Sequence, residues 1–115
     1  MNRVYKDQRS HMSWFYLLLA GLCEVGFTTF LKLSDNFAHW KPTVAFLVLA
    51  VFSFAALSTS LKGIPLGTAY AIWTGIGAFG TALIGIAFFD ESTDFWRLFF
   101  LFALIFSLIG LKYSS

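Results

Sequence analysis

In the stretch LLLAGLCEVGFTTFLK, residues 17–32, one carboxylate, Glu24, stands inside a segment otherwise suited to lipid. A charge at the centre of a hydrocarbon layer costs from about 3 kcal/mol upward, so a carboxyl at that depth usually faces a cavity and serves an ion or proton path. The competing account is a protonated carboxyl hydrogen-bonded between helices. At helical spacing Gly21 and Thr28 lie one turn to either side of Glu24, with Leu17 and Leu31 a further turn out. Small and hydroxyl-bearing neighbours leave room for a ligand. A second stripe, Tyr70, Trp73, Thr74 and Gly77, sets aromatic rings on one helix face. Rings offer negative faces and a carboxylate offers charge and acceptors, a combination that recognises ammonium or guanidinium groups. Taken alone, such a stripe is more often plain packing or an interface belt.

The elements that hold these residues follow from composition. With 58% hydrophobic, 20% aromatic and only 12% charged residues, the chain is far more apolar than a soluble domain. Its apolar runs cover 13–33, 43–61, 66–89 and 95–111, separated by KLSDNFAHWKP, KGIP and DESTD. About 20 residues cross a bilayer as helix, and four crossings nearly use up the 115 residues. The runs are long and lack period-two alternation, so the expected fold is all-α: a bundle of four transmembrane helices with almost no mass outside the membrane, a multi-pass protein of the cell (inner) membrane. Pro42 and Pro65 mark expected helix starts. A net charge of +2, scattered along the chain, gives no nucleic-acid partner, and the single Cys23 excludes an internal disulfide or a cysteine-built metal site. No cofactor and no covalent chemistry are expected.

Residues 1–11, MNRVYKDQRSH, are expected to be a leader or cloning remnant, leaving 12–115 as the four-helix transmembrane domain. Past them, Lys62 and Lys112 fall on one side of the membrane and Lys32, Lys41 and Arg97 on the other. Two against three gives little to orient the chain, so copies can insert both ways and pair antiparallel. The alternative is that Arg3, Lys6 and Arg9 are native and hold the N-terminus inside. GIGAFG, residues 75–80, has the spacing of a dinucleotide fingerprint but none of its strand and helix context. Within a membrane helix these glycines allow close contact, and at Gly75 and Gly77 a kink. Ala103, Ser107 and Gly110 form a small-residue stripe expected at a dimer interface.

AGLCEVGFTTFLKLS, IPLGTAYAIWTGIGAFG and LIGLKYSS resemble the signatures of the small multidrug resistance transporters, over 12–115. The resemblance implies antiparallel dimers of four-helix subunits that exchange protons for small cationic substrates. It implies that Glu24 of each subunit binds protons or substrate in turn, that Tyr70 and Trp73 line the site, and that glycines near Gly75 and Gly77 kink the third helix. WTGIGAFG is similar to the guanidinium-exporting branch, as is Ser53, where that branch has a serine hydrogen-bonding the glutamate. Phe27 stands where that branch usually has tryptophan, and Phe27 and Thr28 are similar to the branch that expels quaternary ammonium and aromatic cations. The guanidinium branch is favoured, with Gly21, Phe27, Thr28 and Ser53 completing the expected lining. A homodimer is expected, with a subunit of a heterodimeric carrier and a non-transporting interaction protein as rivals.

Overall fold

Helices form where the apolar runs lie: α1 (Arg3–Leu33), α2 (Trp40–Ser60), α3 (Leu66–Phe88) and α4 (Phe95–Ser114). The structure, a computed structural model, describes the backbone of residues 3–114 and the side chains of residues 11–114. The side chains of the expected leader, residues 1–11, therefore lie almost wholly outside the described residues. All four helices are long and apolar enough to cross a membrane, the first over His11–Leu33. Helices suit this solvent because each satisfies its own backbone groups.

The helix ends differ from the sequence expectation in an instructive way. α2 begins at Trp40, and Pro42 sits inside its first turn. The first N–H groups of a helix have no partner within it, so a proline there removes nothing. Pro65 occupies the residue just before α3, with φ −58° and ψ 147°. α4 continues past 111 to Ser114.

The α1–α2 turn hangs on Ser34, which is fully buried. Its hydroxyl donates to the Leu31 carbonyl at 2.7 Å and accepts the Phe37 N–H at 3.1 Å. Its carbonyl takes the His39 N–H at 3.1 Å. Between these bonds Asp35, Asn36 and Phe37 all adopt the left-handed region, at φ 50°, 59° and 67°. Asp and Asn tolerate that region, whereas Phe37 is strained by about 1–2 kcal/mol. Packing of its ring on Phe46, centroids 5.9 Å apart, offsets the strain. At the other end of α3, Asp90 at φ 58° turns the chain so that the Glu91 N–H returns to the Gly85 carbonyl at 3.1 Å. The Glu91 carboxylate then pairs with Arg97.

In space the helices follow the order α2, α1, α3, α4, since α1 packs along both α2 and α3 while the α4 backbone meets α3 alone. The result is 51 × 36 × 18 Å, a slab rather than a bundle closed about a centre. With helices about 10 Å across, 18 Å is at most two thick. The buried set is small: Leu17, Ala20, Ala56, Ile64, Ala69, Ile72 and Trp73, with Ser13, Ser34, Ser53 and Ser60 and the glycines Gly21, Gly75, Gly77 and Gly85. Alanine and serine at these contacts let the backbones approach closely, the main source of helix association in lipid. α4 buries no residue, and its phenylalanines point outward.

Candidate functional site

α1 and α3 run in the same direction, and their contact is built in steps. Gly21 meets Ile76, Glu24 meets Gly77, Val25 meets Gly80, and Thr28 meets Thr81. A methyl group on Gly77 would collide with the Glu24 carboxyl. Only a residue without a side chain seats that carboxyl against the α3 backbone. Glu24 Oε1 is buried and has no hydrogen-bond partner among the described residues. An ionised oxygen so placed is costly unless a proton or a cation partners it.

One turn farther along, the Thr28 hydroxyl lies 2.7 Å from that of Thr81 and 2.9 Å from the Glu24 carbonyl. A hydroxyl has one proton; if Thr28 gives its own to the backbone, Thr81 supplies the proton between the two threonines. On the opposite side of Glu24, Ser53 of α2 donates to the Ala20 carbonyl at 2.7 Å and accepts the Trp73 indole N–H at 3.0 Å. Ser53 therefore bonds the backbone one turn before Glu24 and not the carboxyl itself. This small network ties α1, α2 and α3 together at the level of the site.

Rings cover the same region as a continuous row. Tyr70 contacts Trp73 at 5.8 Å between centroids, Trp73 contacts Phe54 at 5.3 Å, Phe54 stacks on Phe27 at 6.3 Å, and Phe27 meets Phe46 edge-on at 5.9 Å. Trp73 is only 7% exposed while Tyr70 is 57% exposed, so the row runs from the core to the open surface.

The other singled-out residues are placed as follows. α3 is helical without interruption through Gly75 and Gly77. Gly75 faces α4, where an added methyl would meet Leu108 at 2.7 Å, and Gly77 and Gly80 face α1. Thr74 bonds its own helix, donating to the Tyr70 carbonyl at 2.8 Å. On α4, Ser107 and Gly110 are exposed and Ala103 is partly exposed; nothing lies within 4 Å of a methyl added at Gly110. Cys23 is half-buried beside a groove between α1 and α2. Thr81 and Phe54 belong to the site region and were missed by the sequence reading. Thr81 continues the stripe of 70, 74 and 77 by one turn, a signal that was present. Phe54 follows Ser53 directly, but nothing in the sequence shows which way α2 is rotated.

The family description Small Multidrug Resistance protein matches residues 12–105. Over 104 residues, 90% of this chain and 100% of the relative, the chain is 45% identical to a guanidinium exporter of Proteus vulgaris. Guanidinium exporters of Salmonella typhimurium and Escherichia coli strain K12 are 45% and 42% identical, each over 90% of this chain and 99% of the relative. With that agreement across nearly all of the membrane-spanning sequence, the chain belongs to the Small Multidrug Resistance protein family.

Proposed function

We propose that this protein exports small guanidinium compounds in exchange for protons, working as an antiparallel homodimer in the cell (inner) membrane. The family is one of multi-pass transporters, not enzymes. The observation that carries the reading is the Glu24 carboxyl, seated on Gly77 with one oxygen unpaired in a helix that crosses the membrane. A planar guanidinium presents paired N–H donors that a carboxylate accepts two at a time. Proton and cation compete for the same oxygens, and that competition is the coupling. The relatives named guanidinium exporters support the substrate class.

The dimer part of the reading rests on the openness of the single chain. Tyr70 is exposed next to buried Trp73, and three grooves of the chain are lined by residues other than Glu24. A second copy facing α1, α2 and α3 would close a chamber between two Glu24 carboxyls, lined by Gly21, Phe27, Thr28, Tyr70 and Trp73, with Ser53 behind. Ala103, Ser107 and Gly110 would hold the pair together along α4, and Gly75 and Gly77 would let α3 bend as access alternates.

A second reading, export of quaternary ammonium and aromatic cations, is favoured by the row of rings through Phe27. Currents on solid-supported membranes separate the two. Guanidinium applied to proteoliposomes should give a transport current, and a tetra-alkylammonium ion should give little. The reverse pattern establishes the second reading. Glu24→Gln should silence transport and substrate-driven proton release while the dimer still forms; a variant that still moves cations against a proton gradient removes Glu24 from the mechanism.

A further inference from the structure

Because the α4 backbone packs on α3 alone, α1 and α4 stand apart, and a groove of about 560 Å³ opens between them. Its floor is Ile72 of α3, its walls are Leu17 of α1 and Ile105 and Leu108 of α4, and one end is closed by Trp14 and Lys112. The Lys112 ammonium sits 5.3 Å from the centre of the Trp14 ring. In a bilayer such an apolar slot fills with hydrocarbon chain. The charge at its end makes it selective: among the described residues the lining includes one cation and no carboxylate. Lys112 lies near the C-terminus of α4 and Trp14 near the start of the α1 span, at headgroup depth.

We propose that this groove binds one anionic phospholipid per subunit, with an acyl chain held between α1 and α4 and the phosphate on Lys112. The site is compatible with a dimer through α4. At about 100° per residue, 105, 108 and 112 lie on the side of α4 opposite 103, 107 and 110. The groove also lies apart from Glu24, so the proposal does not depend on the transported substrate. In an antiparallel pair, one such site opens to each leaflet.

The test is native mass spectrometry of the full chain released from mixed micelles holding phosphatidylglycerol and phosphatidylcholine with identical acyl chains. The expected result is one phosphatidylglycerol retained per subunit, preferred over phosphatidylcholine by roughly fivefold, the effect of one basic residue at an anionic surface. Lys112→Gln should erase the preference, Lys112→Arg should keep it, and Lys62→Gln, exposed at the same end but outside the groove, should leave it unchanged. Ile109→Trp, which fills the slot without changing charge, should lower retention of both lipids. Equal retention of the two lipids, an unchanged preference in Lys112→Gln, or full retention in Ile109→Trp would each overturn the site.

Discussion

Ser53 has one hydroxyl proton, and the structure spends it on the Ala20 carbonyl while its oxygen takes the Trp73 N–H. Ser53→Ala therefore strands a buried indole donor, at about 1–3 kcal/mol. In a Trp73→Phe background there is no donor to strand, and the same substitution should cost about 0.6–1.7 kcal/mol less. Unfolding by SDS titration of the four variants measures the difference; strict additivity would mean that the bond carries nothing. Gly77 and Gly67 make a second comparison within one helix. Gly77→Ala drives a methyl into the Glu24 carboxyl and should destabilise by about 1–3 kcal/mol while weakening cation binding. Gly67→Ala meets nothing within 4 Å and should change neither, as calorimetric titration of the purified protein would show. Glu24 stood out in the sequence because a carboxyl inside an apolar run is costly and calls for a partner. The partner of Ser53 was not, because it depends on how far each helix is rotated toward its neighbours, which no spacing along a single chain records.

At the scale of elements, α3 is shared between two neighbours, with Gly75 toward α4 and Gly77 and Gly80 toward α1. Gly75→Leu should push against Leu108, wedge α4 away from α3 and lower the stability of the subunit. Gly110→Leu, on open surface, should leave insertion and subunit stability intact while weakening dimerisation through the small-residue stripe. Cysteine crosslinking along α4 checks the second outcome, and an unchanged yield would put the interface elsewhere. The four helices were legible because hydrocarbon demands long apolar runs and leaves few alternatives. The flat order α2, α1, α3, α4 was not, since the glycines of GIGAFG announce close contact without saying with which helix. Nor was the α1–α2 turn, where Asp35 and Asn36 are natural left-handed residues but Phe37 is held there by its contact with Phe46 and by its N–H bond to the Ser34 hydroxyl.

For the whole molecule, the small charge difference between the two membrane faces governs orientation. Reporters fused after Ser115 should appear on both sides of the membrane in comparable amounts once residues 1–11 are removed, because two basic residues oppose three. A single orientation would rule out dual insertion and, with it, an antiparallel pair made of this chain alone. The slab also distributes its tryptophans unevenly. Trp40 and Trp96 are 70% and 61% exposed at the starts of α2 and α4, Trp14 is partly exposed near the start of the α1 span, and Trp73 is 7% exposed beside the network around Glu24. The first three sit at interfacial depth, within reach of a quencher dissolved in water. Acrylamide should darken them and leave Trp73 as the surviving emitter, so that under the proposed function the residual fluorescence should become an optical signal, native to the chain, of a cation arriving beside Tyr70 and Trp73.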